Sequence, residues 1–176
     1  AYEAFPKLLG GNFNNQTYSA LAHQYLRAGT LSSLALKLSG AQSVGEETPQ
    51  HVLGGFGRVR GYGTSTVQNV GSRLVLGTAE WRFPVFRNLD YYMWYIFPDF
   101  YFKAVTAALF TDAGYVWDSH DQIHRTHWRD IRHSYGVSLR LHTFILQLFP
   151  LVLHFDYARR TTSKGGVFYV QLSPLF

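Results

Sequence analysis

Apolar and polar side chains alternate with a period of two along most of this chain, in stretches separated by turns or polar loops. Successive side chains on a β-strand point to opposite faces, so the pattern predicts strands and offers no convincing helix. The expected strands are roughly 2–10, 17–28, 31–44, 71–87, 100–117, 132–145, 149–160 and 166–176. In the fifth, Val105, Ala107, Leu109, Ala113, Tyr115 and Trp117 share one face, broken only by Thr111, while Ala104, Thr106, Ala108, Phe110, Asp112 and Gly114 share the other. The sixth sets Tyr135, Val137, Leu139 and Leu141 against Ser134, Gly136, Ser138, Arg140 and His142. The seventh sets Leu151, Leu153, Phe155 and Tyr157 against His154, Asp156 and Ala158. A soluble β-sandwich would alternate too. Two details favour a membrane: the apolar faces end in aromatics, as an interfacial belt requires, and the opposite faces mix small residues with charges, as a wet barrel interior tolerates.

The eighth strand sharpens that expectation. Phe168, Val170, Leu172, Pro174 and Phe176 fall on one face, and a terminal aromatic on an alternating strand resembles the β-signal that bacterial outer-membrane proteins present to their assembly machinery. The connections are asymmetric: Gly29-Thr30 and the region 147–149 are tight, whereas 45–70 and 118–131 are long. Short turns on one side and long loops on the other are usual for outer-membrane barrels.

Composition agrees. The apolar fraction is 47%, yet mean hydropathy is only -0.09, and no apolar run approaches the ~20 residues of a spanning helix. Aromatics make up 17%, more than one hydrophobic core needs and enough for two interfacial girdles. Cysteine is absent, which excludes disulfides and thiolate metal sites without fixing a compartment. The net charge of +5 comes from scattered basic residues, which argues for a charged barrel interior or anionic lipid rather than nucleic acid. The chain begins Ala1-Tyr2-Glu3 with no basic-then-apolar leader, so a mature form or a fragment is expected.

The candidate chemistry is concentrated in Gly54-Gly55-Phe56-Gly57-Arg58-Val59-Arg60-Gly61-Tyr62, inside the first long loop. Glycines let a loop fold tightly and approach other backbone closely. Leu76, Thr78, Glu80 and Arg82 share one face of the fourth strand, so Glu80 points to the interior, as does Asp112 on the adjoining strand. A guanidinium is a rigid fork of donors suited to carboxylates. Arg60, Glu80 and Asp112 are therefore expected to form an ion-paired latch holding the loop inside the barrel.

Four motifs occur in a familiar order: the Gly-Gly…Val-Arg-Gly-Tyr loop, Ala-Glu-x-Arg-Phe-Pro from Ala79 to Pro84, Phe-x-Asp-x-Gly from Phe110 to Gly114, and Phe-Asp-Tyr-Ala from Phe155 to Ala158. Together they resemble the C-terminal half of the BamA/TamA superfamily of outer-membrane barrels, over most of residues 17–176. The resemblance implies an all-β fold, an antiparallel transmembrane barrel with about eight strands here out of sixteen. It implies that residues 1–176 are the C-terminal half of the barrel domain. Arg60 would be the lumen-inserted arginine, within a loop motif of Gly54, Gly55, Val59, Gly61 and Tyr62. Phe168, Val170, Leu172 and Phe176 would form the C-terminal signal and one side of a seam between first and last strands. The implied function is assembly, insertion or translocation of other proteins in a bacterial or organellar outer membrane, with no cofactor, nucleotide, metal or catalytic residue. Outer-membrane lipids, client polypeptides, accessory periplasmic proteins or a second copy completing the barrel would be the partners. The alternative is a passive anchor or pore for a fused upstream domain. An eight-stranded barrel is about filled by its own side chains, so the long loop implies a fragment of a longer chain, a half-barrel that dimerises, or a small barrel with the loop outside.

Rival sites are weaker. His120, His124 and His127 match no tight zinc spacing and read as a solvated loop. His154 and Asp156 share a face with serines nearby, but no nucleophile-elbow sequence accompanies them. The Gly-rich loop is followed by no helix that could present amides to a nucleotide phosphate.

Overall fold

The computed structural model describes residues 2–5, 15–45, 50–63, 69–95, 99–118, 130–146, 148–162 and 165–174. Alternation becomes a single antiparallel sheet. Its strands are β1 (Tyr2–Phe5), β2 (Asn15–Arg27), β3 (Ser33–Gly45), β6 (Arg73–Phe86), β8 (Phe100–Trp117), β9 (Arg132–Ile145), β10 (Phe149–Arg160) and β11 (Gly166–Pro174), hydrogen-bonded in that order. Each strand pairs with the next long one, so the topology is a plain meander. Among the described residues β1 and β11 form the two ends of the sheet and do not pair with each other.

Three short strands depart from the expected eight. β4 (His51–Val52) and β5 (Val70–Gly71) pair with each other inside the first long loop. β7 (Tyr91–Met93) pairs with the lower part of β8, where Tyr91, Tyr92 and Met93 oppose Phe102, Tyr101 and Phe100. These pieces are too short to carry a two-residue period. The first expected strand is seen as Tyr2–Phe5; residues 6–10, the 119–129 stretch with His120, His124 and His127, and Phe176 lie outside the described residues.

Parity assigns the two faces. On one, Val75 and Trp81, Leu109, Tyr135, Val137, Leu139, Tyr157, Phe168, Val170 and Leu172 are all exposed. A water-soluble sheet would bury such a surface; lipid solvates it. On the other face Leu74, Leu76, Glu80, Ala108, Phe110, Asp112, Ser134, Ser138, Asp156 and Ala158 are buried. What buries them is the loop between β3 and β6. Leu53, Val59 and Tyr62 of that loop pack on Leu74 and Leu76, with Val116 against them. This is the inner face of the sheet.

Candidate functional site

The loop reaches the inner face through a tight local fold. Gly54 forms a parallel bridge with Val59, and Arg58 donates Nη1 to the Val52 carbonyl at 2.5 Å. A Cβ on Gly54 would lie 2.5 Å from the Tyr62 carbonyl oxygen, so the two ends of the loop tip touch backbone to backbone. Gly61 has φ +89, which favours glycine. Gly55 also has a positive φ. Gly61 donates its N–H to the Tyr169 hydroxyl at 2.7 Å, and Tyr62 donates its hydroxyl to the His133 carbonyl at 3.1 Å. The motif Gly54, Gly55, Val59, Gly61 and Tyr62 thus shapes and seats the tip.

That shape delivers Arg60 to the inner face, where it is 4% exposed. Its Nε and Nη2 donate to Asp112 Oδ2 and Oδ1 at 2.8 and 2.9 Å, a bidentate fork. Its Nη1 donates to Asp156 Oδ2 at 2.9 Å. Nη2 also lies 3.1 Å from Glu80 Oε1. The Arg60 backbone N–H adds a bond to Asp112 Oδ2 at 3.1 Å. Below the guanidinium lies the Phe110 ring, its centroid 3.3 Å from the Arg60 Cζ, a cation–π contact in a desolvated setting. Burial alone would depress the Arg60 pKa. Hydrogen bonding to and the charge of Asp112, with Asp156 and Glu80, more than reverse that, so the group is held more firmly cationic than a free guanidinium.

The carboxylates have further partners. Glu80 Oε2 accepts from Arg82 Nη2 and from Arg140 Nη2, each at 2.7 Å. Asp156 Oδ1 accepts from the Ser138 hydroxyl at 2.5 Å. Three arginines thus face three carboxylates from β6, β8 and β10, which balances the formal charge. Such a cluster gains little net stability over an apolar core, because desolvation offsets much of the attraction. Its geometry favours this loop placement, in which one guanidinium serves all three carboxylates.

The strand motifs acquire separate jobs. In Phe110–Gly114, Phe110 lies under the guanidinium, Asp112 grips it, and Gly114 makes room: a Cβ there would lie 2.7 Å from Leu53, Leu76 and Val59 side-chain atoms. In Phe155–Ala158, Asp156 faces Arg60 and the fully buried Ala158 sits beside Gly61. The structure brings together Arg60, Glu80 and Asp112. Sequence reasoning left out Asp156, Arg82, Arg140 and Tyr169 from the cluster. Asp156 stood on the correct face, but parity gives a face and no distance across strands. Phe168, Val170 and Leu172 lie apart from the cluster, exposed on the outer side of β11.

The imagined hydrolytic set does not assemble. His154 Nε2 meets Ser173 Oγ at 2.9 Å, but among the described residues its Nδ1 has no hydrogen-bond partner, and Asp156 is engaged by Arg60 and Ser138. A base without an orienting acid lacks the geometry of a triad.

An antiparallel meander with an apolar outward face, a charged inward face and a loop folded back onto that inner face defines the wall of an outer-membrane β-barrel. The family model described as the Omp85 superfamily domain matches residues 2–173, and the chain belongs to that superfamily. A search of curated proteins finds no match. The superfamily comprises outer-membrane proteins of bacteria and organelles that insert or translocate other proteins with the help of accessory proteins; they are non-enzymatic.

Proposed function

We propose that residues 1–176 are the C-terminal half of a sixteen-stranded barrel of BamA/TamA type, which inserts or translocates client polypeptides in a bacterial outer membrane without nucleotide. The observation that carries this reading is Arg60, buried and shared among carboxylates of three different strands. A passive anchor needs no such device, because an anchor functions with its loop in any position. A loop that must be held in one place implies a moving part nearby that depends on it.

In this reading the loop at 45–70 is a latch that keeps the inner wall in one register while a client strand pairs at a seam. In this reading β11, with Phe168, Val170 and Leu172 facing outward, is the C-terminal side of that seam. An unpaired strand edge in lipid is costly, so a seam that opens toward a client lowers the cost of inserting another strand. The test is client insertion by the full-length protein in proteoliposomes. Arg60→Ala leaves three buried carboxylates without their shared cation and is expected to cost about 3–5 kcal/mol, and to reduce insertion at least several-fold. Wild-type insertion by a correctly folded Arg60→Ala barrel contradicts the latch; loss of the loop's position without loss of insertion favours the anchor.

A further inference from the structure

The outer face is mostly apolar, interrupted at one end by Arg73 of β6 and Arg159 of β10. Tyr18, Gln42, Arg73 and Trp117 form one register row across β2, β3, β6 and β8. The row sits at the end of the strands that carries the long connections, the extracellular end in barrels of this kind. Among the described residues Arg73 has no carboxylate partner, and its Nη1 is buried without a hydrogen bond. The Trp117 indole Nε1 is likewise buried and unpaired. A hollow of about 350 Å³ opens over the row, lined by Tyr18, Gln42, Arg73 and Trp117. A guanidinium stays protonated at any relevant pH, and a buried donor without an acceptor costs about 1–3 kcal/mol. Both donors belong to side chains that line one hollow, and an anionic acceptor reaching them there would satisfy both.

Directly below, β2, β3 and β6 become shallow beside the Tyr115 ring of β8. The next rows are Ala20, Gly40, Val75 and Tyr115, whose ring stacks on Trp117, then Ala22, Leu38, Gly77 and Ala113. A second hollow of about 440 Å³ is lined by Ala22, Leu38, Gly77, Ala79 and Ala113. Arg73 to Ala79 spans ~20 Å of strand at ~3.3 Å per residue, about the length of an extended acyl chain. We propose that this surface holds one anionic, phosphate-bearing lipid, its headgroup oxygens on the Arg73 guanidinium and the Trp117 N–H and one acyl chain in the trough below. A lipid satisfies both halves, whereas a free anion or an acidic peptide satisfies only the upper one. The inference rests on the barrel reading of the fold and is independent of the Arg60 cluster.

The test is native mass spectrometry of the full-length protein in mild detergent, with added phosphatidylglycerol and with zwitterionic phosphatidylcholine as reference. The wild type is expected to retain one phosphatidylglycerol in preference to phosphatidylcholine, and millimolar inorganic phosphate is expected not to displace it. Arg73→Gln should lower retention about tenfold, the loss of one charged hydrogen bond, and Arg73→Lys should keep most of it. Gly77→Leu fills the trough without touching the charge, and a Cβ there meets nothing within 4 Å, so the fold is retained while lipid retention falls. Unchanged retention in Arg73→Gln overturns the proposal. So does displacement by inorganic phosphate together with no effect of Gly77→Leu, which would mark a free-anion site.

Discussion

Arg60 is the residue on which the inner face converges, and its shape matters as much as its charge. One fork grips Asp112, a third nitrogen takes Asp156, and the ring of Phe110 closes the underside. A lysine has no fork and would serve one carboxylate at a time. The partners are unequal as well. Asp112 receives three N–H groups from Arg60, whereas Asp156 receives one. With an amide nitrogen in place of Oδ2, Asp112→Asn loses two of its bonds to Arg60 and Asp156→Asn loses one, so the first should cost about 3 kcal/mol against about 1.5 kcal/mol at ~1.5 kcal/mol per charged hydrogen bond. Thermal unfolding of the two variants in detergent checks this, and equal shifts would contradict the unequal sharing. Glu80 and Asp112 were legible because parity places them on the inner face of adjoining strands. Asp156 comes from β10, two strands beyond β6's neighbour β8, and only the register shows that the side chain reaches Arg60 there. Ser138, opposite Asp156 on β9, holds the carboxylate in place.

At the scale of elements, the loop between β3 and β6 is docked by packing as well as by charge. Leu53, Val59 and Tyr62 close over Leu74 and Leu76 because Gly114 leaves the space. Gly114→Val is expected to lift the loop while Arg60 and its carboxylates stay intact in sequence, giving faster protease cleavage within 50–63; unchanged protection would mean that packing contributes little. The base of the loop carries a second sensitivity. His51 Nε2 meets Ser43 Oγ at 2.9 Å, and burial, then the charge of Arg58, lowers the His51 pKa from 6.5. A depressed base stabilises the docked loop above its unfolded pKa of ~6.5, and that contribution is lost as pH falls below it. Acidification from about pH 7.5 to 5 should hasten cleavage, and His51→Gln should flatten the response; a wild-type loop indifferent to pH contradicts this. The long strands were legible to within a few residues, since each carries several turns of alternation. β4, β5 and β7 were not, because two or three residues carry no period and their partners are set by the tertiary fold.

For the whole molecule, the meander order and the two-faced sheet follow from the sequence pattern: consecutive strands joined by turns pair in sequence order. The apolar outer face would be unstable in water and is ordinary in lipid. The inner face, by contrast, is not closed by side chains of opposite strands but by the folded-back loop. A barrel of only eight strands is about filled by its own side chains; a docked loop of this size suits the wider sixteen-stranded barrel proposed above. What parity could not supply was the seating of the loop, which depends on contacts between residues up to 108 positions apart.

The central claim, that this loop is seated on the inner wall of a membrane barrel at Arg60, can be measured by cross-linking. The chain has no cysteine, and a Cβ at Gly61 would lie 3.6 Å from the Ala158 Cβ, within the range of a disulfide. Gly61→Cys with Ala158→Cys, in the full-length protein embedded in outer membranes, should oxidise to an intrachain disulfide seen as a mobility shift on non-reducing gels. The yield should fall when Arg60→Ala is added. Two free, maleimide-reactive thiols in a correctly folded barrel would contradict the account.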